Sequence, residues 1–221
     1  MEDTDIFFID KKGLEIGGPS GAFTSIYNIA KNIDGLNFST STVWSSSNKE
    51  LGYIISNKRI GNQYILDITD ITNIKDNTYD FILSSHVIEH IANPMKAIEQ
   101  CLSILKRDGV LVIIAPKKEV NFDHNRKTVT FDHVLDDYNK NTKETDLNHL
   151  DEILSLHDLS MDIPAGTQEQ FKERSLKNFE NRCLHHHVFD LDILENIFKF
   201  FNLSIIKELV RYNEYVIVGQ K

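Results

Sequence analysis

The feature that most constrains the fold is a series of short apolar runs, each ending in a polar or glycine-containing turn and separated by stretches of helical spacing. Residues 13–17, 36–39, 63–66, 79–84 and 110–114 read as five strands. The last, Val110-Leu111-Val112-Ile113-Ile114, is apolar at every position, as expected of a strand covered on both faces. Helices are expected over 23–32 and from Pro94 to about Lys106, the second with Asn93 as its cap and proline in its first turn. Strands alternating with helices predict an α/β fold, a mostly parallel sheet with helices on both faces.

The remaining segments fit around that sheet. Residues 41–62 read as polar loop. Residues 117–183, rich in Asp, His, Asn and Lys, contain helical spacing at 147–157 and 168–179 but no convincing strand. They are expected to form a helical cap inserted into a single domain spanning 1–221. Asp190 can cap an amphipathic helix carrying Leu194, Ile197 and Phe198. Strands at 203–210 and 215–218 would then close a seven-stranded sheet with an antiparallel hairpin.

A chain of 221 residues has room for one such domain plus an insertion. The net charge of -9 argues against a nucleic-acid partner, because phosphate binding favours a basic surface. No apolar run approaches the roughly 20 residues of a membrane span, and the acidic start has no secretory apolar core. Cys101 and Cys183 lack metal-ligand spacing and read as reduced packing residues of a cytoplasmic protein.

The first strand ends in Leu14-Glu15-Ile16-Gly17-Gly18-Pro19-Ser20-Gly21. A strand, a small-residue turn and a helix let backbone N–H groups approach a ligand. This turn is neither the dinucleotide G-x-G-x-x-G nor a phosphate loop with its Lys-Ser/Thr. Glu15 would repel a pyrophosphate and attract an ammonium such as that of a methionine moiety. The alternative is an ordinary strand-to-helix turn with a solvated acid. Two later segments bear on the choice: Tyr79-Asp80-Phe81-Ile82-Leu83-Ser84-Ser85-His86, and Leu105-Lys106-Arg107-Asp108-Gly109-Val110-Leu111.

Those segments resemble the fourth-strand motif and the "L-K-P-G-G" step of class I S-adenosylmethionine-dependent methyltransferases, with Asp108 in place of the usual first glycine. The resemblance extends over about residues 13–116. It implies that S-adenosylmethionine is the cofactor, with Glu15, Gly17, Gly18 and Ser20 at its methionine end. It also implies that Asp67 and Ile68 contact the adenine and that Ser84 and Ser85 border the sulfonium. The second strand lacks the family's ribose-binding acid and offers Asn37, Ser39 or Thr42 instead.

His86-Val87-Ile88-Glu89-His90 places three ligand-bearing side chains at i, i+3 and i+4, on one face if the turn is helical. The spacing resembles the E-x-x-E-H cation site of quinone-biosynthesis and plant small-RNA methyltransferases. His86, Glu89 and His90, joined by His124, are therefore the candidate ligands for manganese, iron, zinc or magnesium. His86, His90 and His124 are equally candidates for direct proton handling; the structural alternative is that His86 caps the turn while Glu89 and His90 hydrogen-bond within the cap. The stretches 122–126, 130–133, 156–159 and 182–190 resemble a bacterial methyltransferase family linked to surface-polysaccharide biosynthesis. That resemblance makes His133, His185, His186 and His187 candidate contacts to a small-molecule acceptor, and Arg126 and Arg182 would suit one carrying an anionic phosphate or phosphoramidate oxygen. The expected activity is O-methylation of a sugar, nucleotide-linked or phosphate/phosphoramidate precursor. The competing readings are a non-catalytic binding module of this fold and an NAD-dependent oxidoreductase, the latter disfavoured by the missing dinucleotide fingerprint.

Overall fold

The computed structural model describes residues 2–44 and 51–221. In chain order, β1 (Lys12–Ile16) leads through a short α1 (Thr24–Ile29) into β2 (Asn32–Asn37). A separate hairpin, β3 (Tyr53–Ile55) and β4 (Lys58–Gly61), precedes β5 (Gln63–Ile65). Next come β6 (Tyr79–Ser85), α2 (Pro94–Ile104) and β7 (Leu105–Pro116). The helices α3 (Phe131–Lys140), α4 (Leu150–Leu156), α5 (Gln168–Leu176) and α6 (Asn178–Asn181) follow. The chain ends in α7 (Leu191–Phe200), β8 (Ser204–Val210) and β9 (Glu214–Gln220).

The seven-stranded sheet has the order β5-β2-β1-β6-β7-β9-β8. The first five run parallel, and β9 is antiparallel to both neighbours. Strand period two sends alternate residues to opposite faces. Leu14, Leu36, Ile82, Leu111, Ile113 and Ile217 pack on one side with residues of α2, α3 and α7. Ile33, Phe81, Leu83, Val112, Ile114 and Val218 pack on the other with Phe8, Phe23, Ile26 and Tyr53. Each fully buried Leu, Ile or Phe stabilises the fold by roughly 1.5–3 kcal/mol. The chain runs from β1 outward to β2 and β5, then returns to β6 and β7. That reversal is a topological switch point, where open sheets of this kind bind ligands outside the carboxyl ends of their strands.

Three expectations need correction. β2 starts at Asn32, so the helix placed over 23–32 stops at Ile29, and the strand placed at 36–39 ends at Asn37. Asp34 hides this strand from a pattern search: it is fully buried, accepting hydrogen bonds from the Tyr79 hydroxyl at 2.9 Å and the Asn62 amide at 2.8 Å. The loop expected over 41–62 contains the β3–β4 hairpin, while its residues 45–50 lie outside the described residues. Helix α3 was not anticipated; Thr130 caps it, its hydroxyl accepting from the His133 amide.

Residues 117–183 divide between two tasks. Val134 of α3 joins the main core together with residues of α2 and α7. Further along, Ile153, Ala165, Phe171 and Leu184 form a small core of their own. Among the described residues no helix is long and apolar enough to cross a membrane.

Candidate active site

A cavity of about 920 Å³ opens at the switch point. Gly17 and Ser20 line it after β1, Asn37 and Phe38 at the end of β2, Asp67 and Ile68 after β5, and Ser85 and His86 at the end of β6. Asp162, Pro164, Arg174, Arg182 and His185 close it from the far side.

The glycine turn is shaped from beneath. Gly17 has a φ of 73°, a conformation that side chains disfavour, and its N–H donates to the Leu36 carbonyl at 2.9 Å. A Cβ at Gly17 would lie 2.4 Å from Val87 Cγ2, and one at Gly18 would lie 2.2 Å from the Tyr53 hydroxyl. Glu15 is fully buried below the turn. Its Oε1 accepts from the Ser20 amide at 2.8 Å and lies 3.0 Å from the Tyr27 hydroxyl, while Tyr53 donates to Oε2 at 2.6 Å. Burial raises the Glu15 pKa to about 7, against the lowering effect of these three bonds. Neither Glu15 nor Gly18 lines the cavity. The direct contact to a ligand ammonium expected of Glu15 is thus replaced by a supporting role. Tyr27 and Tyr53 escaped the sequence reading because they stand 12 and 38 residues away, with no local pattern to connect them.

Among the remaining cofactor candidates, Ser84 is buried in β6 away from the cavity, whereas Ser85 faces it. The Asn37 side chain donates to the Gly18 carbonyl at 3.4 Å, tying the end of β2 to the turn. Asp67 reaches the cavity with both oxygens engaged: Oδ1 accepts from Thr69, and Oδ2 accepts from Arg182 at 2.8 Å. Burial opposes ionisation of Asp67, but Thr69 and Arg182 together hold its pKa below the ordinary value. Arg182 also pairs with Glu144 at 3.0 Å.

The histidines separate. His86 has a φ of 53°, so the following Ile88–His90 turn does not continue an α-helix through it. Its half-exposed ring lies 3.4 Å from Glu214 Oε2, and it does not join Glu89 and His90. His124 pairs with Asp158 at 2.9 Å and does not line the cavity. The group that converges is Glu89, His90 and His185, with ligand atoms within 4.8 Å of one another.

His185 Nδ1 donates to Asp123 Oδ2 at 2.5 Å. Burial pulls the His185 pKa down, but the charge and hydrogen bond of Asp123, with Glu89, carry it above the ordinary value. Burial in turn disfavours the Asp123 carboxylate, yet His185 and Arg126 bring it down to about 2. His90 Nδ1 donates to the Leu184 carbonyl at 3.1 Å, and its ring stands edge-on to His185 at 4.5 Å. Trp44 covers the other side of His90 at 4.9 Å.

Arg126, expected at the acceptor, is buried away from the cavity. It donates to Asp123, to Glu152 and to the carbonyls of His185 and His186. His186 meets Asn178 at 2.9 Å, and burial pushes its pKa down to about 3. His133 and His187 lie in a second cluster outside the cavity.

A family profile described as a methyltransferase domain matches residues 6–208. The chain belongs to the methyltransferase family. An uncharacterized protein of Methanocaldococcus jannaschii is 31% identical over 102 residues, 46% of this chain and 43% of that protein. The match therefore spans less than half of the curated relative. A solved S-adenosylmethionine-dependent methyltransferase from Aquifex aeolicus superposes with a TM-score of 0.53 at 13% identity, covering 99% of this chain and 87% of that one. The CurJ carbon methyltransferase gives 0.52 at 15% identity, over 96% of this chain and 49% of that one. At such identities the likeness is one of fold, the Rossmann-like class I methyltransferase fold.

Proposed function

We propose that this methyltransferase-family chain uses S-adenosylmethionine to methylate a hydroxyl of a sugar or nucleotide-linked sugar, a precursor of a surface polysaccharide. The cofactor assignment is supported by family membership and by the turn at Gly17, where a Cβ has no room. The cavity volume also lies within the roughly 300–1,000 Å³ of small-molecule sites. Gly17 and Ser20 would hold the methionine end, Asn37 the ribose, Asp67 and Ile68 the adenine, and Ser85 the region beside the sulfonium. S-adenosylmethionine, when bound, supplies a methyl group on a positively charged sulfur. The residues of the chain then have to orient the acceptor and take its proton.

The observation that carries this reading is His185 in the cavity wall, backed by the buried carboxylate of Asp123. Asp123 fixes the proton on Nδ1, which leaves the Nε2 lone pair to accept the proton of an acceptor hydroxyl. His90 and Phe122 pack against the same ring and limit its rotation. The two arginines lining the cavity favour a hydroxyl over a phosphate or phosphoramidate oxygen. Arg174 is paired with Asp162 at 3.1 Å, and Arg182 with Asp67 and Glu144. Trp44, exposed at the rim, offers a flat face to a sugar ring.

A second reading rests on Glu89, whose buried Oε2 has no hydrogen-bond partner. With His90 and His185 it could hold manganese, iron or zinc in preference to magnesium, and the cation would acidify the acceptor in place of a base. The test is turnover on a panel of sugar and nucleotide-sugar acceptors, with S-adenosylhomocysteine affinity measured in parallel. If His185 is the base, His185→Gln and Asp123→Asn should lose about a hundredfold or more in turnover. Cofactor affinity should hold, and Glu89→Gln should keep most of the turnover. Turnover lost on chelation and restored by manganese would favour the cation. Full turnover in both variants would remove His185 from the chemistry.

A further inference from the structure

Away from the cavity, four side chains from three segments meet at one point. His133 and Asp137 lie one turn apart on α3, His149 is the N-cap residue of α4, and His187 precedes α7. None of the four lines the cavity. His133 Nε2 is 3.0 Å from His149 Nε2 and 3.3 Å from Asp137 Oδ2. His187 Nε2 is 3.0 Å from the same carboxylate oxygen. A ligand atom from each of the three histidines falls within 4.8 Å of the others. Around a tetrahedral zinc ion with bonds of about 2.0–2.1 Å, neighbouring ligand atoms are about 3.3–3.4 Å apart. The separations here are close to those of a coordination shell.

We infer that His133, His149, His187 and Asp137 form a structural site for a divalent transition-metal ion of the zinc class. Hydrogen bonding alone accounts for the cluster less well. Two imidazole nitrogens facing each other at 3.0 Å share a single proton, so His133 cannot serve both His149 and Asp137 as a donor. The surroundings also resemble those of bound ligands. Thr142 donates to Asp137 Oδ1 at 2.9 Å, as hydrogen bonds behind metal-bound carboxylates do. Three imidazoles with one carboxylate suit zinc, cobalt or nickel and disfavour magnesium and calcium. His133, with its side chain 41% exposed, gives the ion a path from solvent.

The ion would act by tethering. It joins α3, the start of α4 and the segment that holds His185 in the cavity wall, two residues from His187. Arg126 crosses the same junction, reaching Glu152 on one side and the His185 carbonyl on the other.

The test is titration of the chelator-stripped full-length chain with Co(II), whose visible spectrum reports tetrahedral coordination, followed by competition with Zn(II). One equivalent of tetrahedral Co(II), displaced by zinc, is expected, together with a rise in Tm on zinc addition. His149→Ala and His133→Gln should each weaken Co(II) binding at least tenfold and abolish the Tm rise. Their S-adenosylhomocysteine affinity, as a check on folding, should stay unchanged. Glu89→Gln should leave the spectrum intact. A wild-type chain that takes up no Co(II) overturns the inference. So does a spectrum that survives in both histidine variants, or one lost only in Glu89→Gln, which would assign the ion to the cavity.

Discussion

Replacing Glu15 with glutamine should make the stability of this fold less sensitive to pH. Glu15 has no exposed surface, and burial raises its pKa from 4.5 to about 7. In the unfolded chain the carboxyl ionises near its ordinary value. Below about pH 4.5 it is protonated in both states, and its stabilising contribution is fully present. As the pH climbs toward 7 the unfolded chain gives up the proton first, and that contribution is lost; above the folded pKa the loss is complete. At about 1.36 kcal/mol per pH unit the effect is on the order of 3 kcal/mol. For a chain of this size that corresponds to roughly 6–12 °C in Tm. Glutamine keeps the shape and one acceptor oxygen but does not titrate. Thermal unfolding of the two proteins from about pH 5 to about pH 8 should show the variant gaining on the wild type across the range and levelling off above neutrality. A Tm difference that stays constant with pH refutes the argument, because Glu15 would then share one protonation state between the folded and unfolded chains.

Two further predictions concern the cofactor wall. Asn37→Ala removes the proposed ribose contact and should weaken S-adenosylhomocysteine binding about tenfold, the worth of one hydrogen bond, while loss of the tie to the Gly18 carbonyl lowers Tm by a few degrees; calorimetry measures both. Gly17→Ala forces a Cβ toward Val87 in a left-handed conformation and should destabilise the fold by about 1–3 kcal/mol while lowering cofactor affinity. Denaturant unfolding at wild-type levels in that variant would mean the turn tolerates a side chain after all.

Those elements fixed by neighbouring residues were legible in the sequence. Asn93 accepts from the Lys96 amide and Asp190 from the Ile193 amide, so both caps act within their own helix. The centre of β7 needed only its apolar run, but the strand starts at Leu105 and takes in the residues read as the helix end and the Asp108-Gly109 turn. β2 was misplaced because Asp34 and Gly35 are buried by partners distant in sequence: Asp34 answers to Tyr79, 45 residues on, and a Cβ at Gly35 would strike the Tyr53 ring. The site divides along the same line. The glycine turn and Asp67 sit at strand ends, where period and topology place them. The histidines do not follow from spacing, because the face-sharing of i, i+3 and i+4 needs helical dihedrals that His86 does not have. His185, His186 and His187 show the difficulty most directly. Three identical neighbours go to Asp123, to Asn178 and to Asp137; burial lowers the pKa of His186 and His187, whereas Asp123 carries that of His185 above the ordinary value. Residue type gave the capacity for proton transfer or metal binding, but the distant carboxylate or amide decides which histidine has it. Since Arg126 holds the carbonyls of both His185 and His186, the cavity wall at His185 and the proposed metal cluster are parts of one packed junction. Substitutions at His133 or His149 should therefore be judged by metal uptake before any change in turnover is attributed to chemistry.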